Sequence, residues 1–337
     1  MRVLIVKLSS LGDVVQTLPV VHDIVAHVDP AAIDWVVEEA FAPLLGEVLG
    51  LRRVVRYAGR RWRKQPLAAR TRRERSAFAA ELRREAYDAV IDFQGLVKSA
   101  LVARRARVAP RGHRYTYANA SELCGYEWPV RYLVDRPIAM ERRVHAVRRY
   151  RLLAARALGY EIGAAPDEVP ARVDWRFAPP DTARRDVMFA HGTTRSDNEW
   201  PEPCWADIGQ RLVADGFRVV LPHAGAVEAQ RVQRLASAIG GNGGGAAVEI
   251  LPSMSLDAIA RRIAACSGVI GVDSGLSHLA VALDVCHVQI FSQPRVWRAG
   301  PVGAAHQLAV GGDRAPSADE VWAAWRAAWA AAHGSGG

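Results

Sequence analysis

Three short polar segments of this 337-residue chain each follow an apolar run, and their residue types suit acid–base and anion-binding chemistry. The first segment is Ser9-Ser10-Leu11-Gly12-Asp13. Small residues such as Ser10 and Gly12 let a ligand approach the backbone closely, and an exposed carboxylate at Asp13 can act as a general base. The alternative is that Asp13 only caps a helix that begins at Val14, because aspartate is favoured at that position.

The second segment is His191-Gly192-Thr193-Thr194-Arg195, and Trp200-Pro201-Glu202 follows it. Hydroxyl groups, backbone N–H groups and a guanidinium together make a good anion site. The alternative is that Thr193 or Thr194 only closes a turn.

The third segment is Asp273-Ser274-Gly275-Leu276-Ser277-His278, which follows the apolar run GVIGV. A strand that ends here and passes directly into a helix aims several N–H groups above the sheet, and the helix dipole favours a diphosphate there. Ser274 does not match a hydrolase nucleophile elbow, which needs Gly-x-Ser-x-Gly. His278 is either a catalytic residue or a histidine that packs or caps the new helix.

The elements that would position these segments alternate along the chain, as in parallel sheets with crossover helices. The predicted strands are Arg2–Leu8, Ile33–Glu38, Arg53–Tyr57, Tyr87–Phe93, Asp186–Ala190, Arg218–Pro222, Val248–Leu251, Gly268–Val272 and His287–Phe291. The predicted helices lie near 14–28, 66–86, 96–107, 145–158, 202–214, 227–239, 256–265, 276–284 and 317–332. The three polar segments therefore stand at carboxyl ends of predicted strands.

This alternation predicts two doubly wound α/β domains of ordinary size. A proline-rich stretch lies between the two series, and we place the linker there. The predicted boundaries are 1–165 for the first domain, 166–185 for the linker and 186–337 for the second domain. Two such domains facing one another would form a cleft at the carboxyl ends of their strands, where open α/β proteins bind ligands.

Positive charge is concentrated in one part of the sequence. Residues 52–85 contain thirteen Lys or Arg and three acidic residues, a net charge of +10, whereas the whole chain carries +9. A local excess of this kind favours a specific anionic partner, such as nucleic acid, an anionic membrane or an acidic substrate. The alternative is a solvated, arginine-rich face.

Several classes of protein are disfavoured by what the sequence lacks. No stretch approaches the roughly 18 consecutive apolar residues of a membrane-spanning helix, and the first residues turn polar too early for a signal peptide, so we expect a cytoplasmic protein. The four cysteines have no CxxC or zinc spacing, and we expect reduced structural thiols. Neither GxGxxG after the first strand nor GxxxxGK[ST] occurs, and no Asp-x-Asp or His cluster predicts a metal site.

Taken together, five stretches resemble the bacterial lipopolysaccharide heptosyltransferases of type I, which are ADP-heptose transferases of glycosyltransferase family 9. These stretches are MRVLIVKLSSLGDVVQTLPVV, RRWRK at 60–64, YDAVIDFQGLVKSALVARRA, HGTTRSDNEWPE and GVDSGLSHLAVAL. The resemblance implies a GT-B fold of two Rossmann-like domains, the first binding the acceptor and the second the nucleotide sugar. It also implies inverting transfer of L-glycero-D-manno-heptose from ADP-heptose to the first Kdo (3-deoxy-D-manno-octulosonic acid) of Kdo2-lipid A.

The resemblance also implies roles for individual residues. Asp13 matches the general base that deprotonates the acceptor hydroxyl. The donor would be bound by Thr193, Thr194, Arg195, Asn198, Glu228, Asp273, Ser274, Gly275, Leu276 and His278. The acceptor would be bound by Ser10, Gly12, Arg60, Arg61, Arg63 and Lys64. No metal site and no tightly bound cofactor are implied, and stimulation by Mg²⁺ is left open.

Three positions depart from the family pattern. Asn198 stands where the family usually has a lysine at the donor phosphates, and Arg195 is the candidate for the missing charge. The segment around Ser121 lacks the arginine usual in a Thr-Ala-Arg-Glu-Pro-like acceptor motif. Glu228 is the nearest candidate for an acid at the donor ribose.

Three functions remain open on the sequence. The leading one is transfer of heptose from ADP-heptose to Kdo2-lipid A by a cytoplasmic protein held peripherally at the anionic inner face of the inner membrane. The second is a related ADP-sugar transferase with another acceptor, such as a capsule or a protein. The third is a non-catalytic basic module that binds membrane or nucleic acid. We do not expect nucleic acid as a partner, because the basic segment has few aromatic residues for base stacking.

Overall fold

The computed structural model of the chain describes residues 1–163, 172–177, 185–240 and 247–334. The chain divides into two compact units. The first comprises Met1–Pro166 and Ala171–Arg176, and the second comprises Asp167–Pro170 and Phe177–Gly337. The predicted linker at 166–185 lies largely outside the described residues, so the linker and the predicted cleft stay predictions.

The first unit alternates strands and helices. Its strands are β1 (Arg2–Val6), β2 (Ala32–Glu38), β3 (Leu51–Tyr57), β4 (Ala86–Asp92), β5 (Arg107–Tyr117) and β6 (Arg136–Ile138). Its helices are α1 (Leu11–Thr17), α2 (Pro19–His27), α3 (Ala42–Leu45), α4 (Gly59–Lys64), α5 (Ala69–Arg83), α6 (Val97–Arg105) and α7 (Ala146–Leu158), with a 3₁₀ helix at Trp128–Tyr132. Central strands such as β1 are apolar in a continuous run because helices cover both faces of a parallel sheet.

These strands form one parallel sheet in the order β3-β2-β1-β4-β5-β6. The connections change direction between β1 and β4, which are hydrogen-bonded neighbours. Ligands of open α/β sheets bind beyond the carboxyl ends of the strands at such a switch point. The segment Ser9–Asp13, which follows β1, therefore occupies the position where this unit is expected to bind its ligand.

The second unit repeats the same plan. Its strands are β7 (Asp186–Ala190), β8 (Arg218–Leu221), β9 (Val248–Ile250), β10 (Gly268–Val272), β11 (His287–Phe291) and β12 (Gln307–Gly311). Its helices are α8 (Glu202–Ala214), α9 (Ala226–Gly240), α10 (Leu256–Ala264), α11 (Gly275–Ala282), α12 (Val296–Ala299) and α13 (Ala318–His333), with a 3₁₀ helix at Ser196–Asn198.

The second sheet has the order β12-β11-β10-β7-β8-β9, which is the same topology as the first. Its switch point lies between β7 and β10. The other two polar segments follow these two strands, so the topology brings them together at one edge. The core beneath them contains three tryptophans that are at most 2% exposed, Trp200, Trp205 and Trp325.

All nine predicted strands overlap strands of the structure, but three strands were not predicted. They are β5, β6 and β12. β5 carries Arg107, Pro110 and Arg111 and is half-exposed along much of its length, so it lacks the apolar run by which the other strands were found. The predicted helix 14–28 is wrong as a single helix, because it divides at Leu18 into α1 and α2, with Pro19 opening the second.

Candidate functional site

Asp13 lies in the first turn of α1, and hydrogen bonds hold its carboxylate in place. The helix begins at Leu11 with Ser10 as its N-cap, so the expectation that Asp13 caps a helix starting at Val14 is wrong. Asp13 Oδ2 accepts hydrogen bonds from Ser10 Oγ at 2.8 Å and from Ser10 N at 3.2 Å. The Asp13 side chain stays 27% exposed, so a ligand can reach it.

A buried tyrosine and a buried lysine contact the other oxygen of this carboxylate. The Tyr150 hydroxyl donates to Asp13 Oδ1 at 3.0 Å, and it accepts a hydrogen bond from Lys7 Nζ at 3.1 Å. Lys7 Nζ itself lies 3.9 Å from Asp13 Oδ1. Burial lowers the pKa of Lys7, whereas the charge of Asp13 opposes that shift. Asp13 is thus oriented from both sides, as a general base must be.

A second carboxylate, Asp92, ends the neighbouring strand β4 and is fully buried. Burial raises the pKa of Asp92 to about 6, although hydrogen bonds from the Gln94 N–H and the Ser99 hydroxyl and the charge of Lys7 oppose this. Asp92 holds the turn after β4, since Gln94 N donates to Oδ1 at 2.9 Å and Ser99 Oγ to Oδ2 at 3.0 Å. Asp92 therefore holds the turn after β4 together, and solvent does not reach it.

The predicted acceptor residues of the basic segment lie on α4. The exposed ones are Arg60, Arg61, Arg63 and Lys64. Trp62 points the other way and anchors the helix, because it is 5% exposed, donates to Glu74 Oε2 at 2.8 Å and packs edge-on against Tyr57 with ring centroids 5.2 Å apart. The anchor leaves the four cations facing solvent.

These four cations differ in whether acidic side chains already pair with them. Arg61 donates to both oxygens of Glu39 at 3.0 and 3.1 Å and to Glu74 at 2.6 Å, so two carboxylates already neutralise it. The Arg60 guanidinium lies 5.5 Å from the centre of the Phe41 ring. Within the described ranges, no acidic side chain pairs with Arg63 or Lys64, which makes them the better candidates for contact with an anionic ligand.

In the second unit, a glycine lets the two strands of the switch point and the following helix meet. A Cβ on Gly271 would lie 2.3 Å from Ser277 Oγ and 2.6 Å from Ala190 Cβ, so no larger residue fits there. Ser274 is the N-cap of α11, and its buried Oγ has no hydrogen-bond partner in the described part of the chain. The first turn of α11 is therefore held close to the end of β7, with an unused hydroxyl at its N-cap.

Asp273 and His278 form a pair at this edge. His278 Nε2 lies 3.2 Å from Asp273 Oδ1, and both side chains are about nine-tenths buried, with exposures of 10% and 12%. Burial alone would raise the pKa of Asp273, but the contact with His278 and the charges of Arg298 and Arg295 lower it below its usual value. His278 is thus neither isolated nor a simple helix cap, because it orients an ionised carboxylate.

Asn198 is buried between the two segments rather than exposed to a ligand. It is 3% exposed, and its Nδ2 donates to Asp273 O at 3.2 Å. Arg295 Nη1 donates to Asn198 Oδ1 at 3.2 Å. Arg195 pairs with Asp197 at 2.9 Å, and the guanidinium that contacts Asn198 belongs to Arg295, so the compensation of the missing charge by Arg195 stays a prediction.

The remaining predicted donor residues lie around the same edge. Thr193 Oγ1 accepts a hydrogen bond from Arg195 N at 3.2 Å and so closes a turn, whereas Thr194 is exposed. Glu228 lies against the second segment, because a Cβ on Gly192 would meet Glu228 Oε1 at 2.9 Å. Gly275 and Leu276 open α11. The structure therefore brings all the predicted donor residues to one edge of the second sheet.

Two features are absent from the described ranges. No helix there is long and apolar enough to cross a membrane, and no group of three or more His, Cys, Asp or Glu side chains is arranged to hold a metal ion.

The chain matches the model of a known protein family. The model of glycosyltransferase family 9 (heptosyltransferase) matches residues 75–321. The chain belongs to glycosyltransferase family 9. The predicted family and enzyme class, a glycosyltransferase, are thereby confirmed.

Curated relatives in this family cover most of the chain. Lipopolysaccharide heptosyltransferase 1 of Escherichia coli K12 is 39% identical over 292 residues, which are 86% of this chain and 88% of the relative. The enzyme of the same name from Pseudomonas aeruginosa PAO1 is 34% identical over 313 residues, 93% of this chain and 84% of the relative.

A solved family 9 structure agrees with the fold. The E. coli heptosyltransferase WaaC with ADP is 36% identical and superposes with a TM-score of 0.81 over 97% of this chain and 98% of its own. Together with the two parallel six-stranded sheets, this confirms the predicted GT-B class.

Three residues of these sites were not predicted from the sequence. Lys7 directly follows β1 and lies inside the predicted strand Arg2–Leu8, and Tyr150 lies in the middle of a helix 137 residues from Asp13. Arg295 follows β11, which the sequence did predict as a strand, and the rule that ligands bind beyond carboxyl ends could have singled it out.

Proposed function

We propose that this family 9 glycosyltransferase transfers L-glycero-D-manno-heptose from ADP-heptose to the first Kdo of Kdo2-lipid A, with inversion at the anomeric carbon. The first unit, residues 1–165 in our prediction, would bind the acceptor and the second, from 186 onward, the donor. A relative 35% identical, the E. coli heptosyltransferase WaaC, was solved with ADP-2-deoxy-2-fluoro heptose, which supports an ADP-heptose donor.

The observation that carries the proposal is the oriented and partly exposed carboxylate of Asp13 at the switch point of the first sheet. In the proposed reaction, an acceptor hydroxyl attacks the anomeric carbon as its proton passes to Asp13. A new C–O bond forms on one face of the sugar while the bond to the ADP phosphate breaks on the other, which inverts the configuration. Ser10 and Gly12 would line the approach of the acceptor. A base held in this way typically contributes about 10²- to 10⁴-fold in rate.

The second unit would stabilise the departing ADP. Negative charge grows on the diphosphate as the bond breaks, so N–H groups at Ser274, Gly275 and Leu276 and the helix dipole would stabilise the transition state more than the ground state. Arg295, which lies at Asn198, would supply positive charge at the same edge. Thr193, Thr194 and Arg195 would contact the phosphates, and Glu228 the ribose.

The exposed cations of α4 would bind the acidic headgroup of the acceptor. Kdo carboxylates and lipid A phosphates are anionic, and so is the cytoplasmic leaflet, to which each basic side chain near the surface adds about 1 kcal/mol of attraction. We therefore propose a cytoplasmic enzyme that contacts the inner face of the inner membrane peripherally. The proposal requires no tightly bound cofactor.

Acceptor-dependent release of ADP tests the proposal. Purified enzyme is given ADP-L-glycero-D-manno-heptose with Kdo2-lipid A or with lipid A lacking Kdo, and products are weighed by mass spectrometry. We expect ADP release and the mass gain of one heptose only with the Kdo-bearing acceptor, and an anomeric configuration opposite to that of the donor. Binding of ADP-heptose without any transfer would contradict the proposed acceptor.

A related transferase with another acceptor is the second candidate, since the first unit lacks the family's usual arginine near Ser121. Ser121 is 4% exposed and its Oγ donates to Glu141 O at 2.9 Å, so it serves the packing of its loop. If Kdo2-lipid A is not glycosylated, capsular and protein acceptors are the next to try with the same donor.

A further inference from the structure

Arg149 is a buried cation beside the Asp13 site. It precedes Tyr150 in α7 and is 2% exposed. Its guanidinium carbon lies 3.5 Å from the centre of the Tyr117 ring, which is itself fully buried near the carboxyl end of β5. Arg149 thus stands over the same edge of the sheet as the Tyr150 hydroxyl that contacts Asp13.

This guanidinium has donors that the chain does not use. In residues 1–163, 172–177, 185–240 and 247–334, no acceptor is in hydrogen-bond distance of the buried Arg149 Nε and Nη2. Burying a charge without a partner is strongly unfavourable, and a cation–π contact offsets only part of the desolvation free energy. By contrast Arg151, two residues on, donates to both oxygens of Asp23 at 2.7 and 3.0 Å. Arg149 therefore offers two unused donors to an anion.

The surroundings of Arg149 also favour an anion. Lys7 is a second buried cation, 3% exposed, and the charge of Arg149 adds to burial in lowering the pKa of Lys7. Asp13 is the most exposed member of this cluster, at 27% of its side chain, and the charges of Asp13 and Asp92 act on Lys7 in the opposite sense to that of Arg149. A guanidinium binds carboxylates through two parallel hydrogen bonds, which also fixes the orientation of the bound group.

We propose that Arg149 binds the carboxylate of the acidic sugar acceptor and thereby presents the neighbouring hydroxyl to Asp13. This inference rests on the proposed function and deepens it, because it assigns the group that recognises the acid. It also accounts for Ser121, whose side chain is buried and satisfied by Glu141 O: the cation for the carboxylate comes from α7 instead of that loop.

The test varies the residue and the carboxylate together. Initial rates with ADP-heptose are measured on a Kdo-lipid A acceptor and on the same acceptor with its Kdo carboxylate as a methyl ester. The enzymes are the wild type, Arg149→Gln, Arg149→Lys and the control Arg151→Gln, which replaces another arginine of α7 and breaks its partly buried ion pair with Asp23. Circular dichroism and thermal melting check that each variant is folded. If Arg149→Gln does not fold, the comparison is made with Arg149→Lys.

We expect the wild type to lose about 10- to 100-fold in kcat/KM on the ester, as for loss of a charge-assisted hydrogen bond. Arg149→Gln should lose a similar factor on the acid and discriminate little between acid and ester. Arg149→Lys should fall between, and Arg151→Gln should keep the wild-type ratio whatever its absolute rate.

Two results would overturn the inference while leaving the proposed function intact. One is a wild type that uses acid and ester equally well. The other is an Arg149→Gln enzyme that is slow on both acceptors but keeps the wild-type ratio, which would make Arg149 a structural residue. A wild type that transfers to neither acceptor would instead refute the proposed function, and the inference would fall with it.

Discussion

Replacing Tyr150 with phenylalanine isolates the hydrogen bond that holds the proposed base. The substitution removes one oxygen and keeps the ring, which is 2% exposed and lies edge-on to Phe93 with centroids 6.3 Å apart. Two hydrogen bonds are lost, the one to Asp13 Oδ1 at 3.0 Å and the one from Lys7 Nζ at 3.1 Å. Ser10 still holds Asp13 Oδ2.

The size of the effect follows from the charge of the acceptor atom. A hydrogen bond to an ionised group is worth about 1.5 to 3 kcal/mol, and one pH unit corresponds to about 1.36 kcal/mol. The hydroxyl stabilises the ionised carboxylate more than the neutral acid, so its loss makes protonation of Asp13 easier. The acidic limb of the kcat profile should therefore move to higher pH by about one to two units. A less well oriented base should also lower the plateau of kcat.

The assay is the pH dependence of kcat at saturating ADP-heptose and acceptor. Tyr117→Phe is the matched control, because Tyr117 is an equally buried tyrosine at the same edge, whose hydroxyl contacts Phe93 O at 3.5 Å and not Asp13. It should leave the acidic limb in place. An acidic limb that stays put in Tyr150→Phe, or that moves equally in Tyr117→Phe, would refute the role of Tyr150.

Three further predictions concern other parts of the two units. Arg295→Ala should raise the Kd for ADP by about 10- to 100-fold in calorimetry, whereas Arg314→Ala, which breaks a surface ion pair with Glu320 at 2.8 Å, should not. Arg63→Ala should raise the acceptor KM but not the donor KM, and the wild-type advantage should shrink as salt rises. Asp92 binds its proton more tightly in the folded than in the unfolded chain, so the free energy of unfolding should fall as pH rises from about 4 to about 6. In Asp92→Asn, the free energy of unfolding measured by urea titration should depend less steeply on pH over this range.

Much of the fold could be predicted from the sequence because the central strands are apolar runs. Helices cover both faces of β1, β7, β10 and β11, and these strands consist mostly of apolar residues for that reason. β5 and β12 are only partly buried, and β6 has three residues, so their composition differs little from that of loops. The pattern therefore predicts the centre of each sheet and misses strands towards one edge.

The residues of the candidate site also differ in whether the local sequence is enough to predict them. Asp13, Asp273 and the residues of their segments follow strands directly, and position in the sequence was enough to find them. Tyr150 and Arg149 reach the site from a helix more than a hundred residues away, and only tertiary packing brings them there. The contact between Asn198 and Arg295 was not predicted for the same reason, since the two residues are 97 positions apart.

The most direct test of Asp13 as the base compares wild type and Asp13→Asn in two measurements on the same preparations. Asparagine keeps the size of the side chain but cannot accept the proton. We predict that acceptor-dependent ADP release from ADP-heptose falls by about 10²- to 10⁴-fold while the Kd for ADP stays at the wild-type value. ADP release within a few-fold of wild type, at unchanged ADP affinity, would contradict the account.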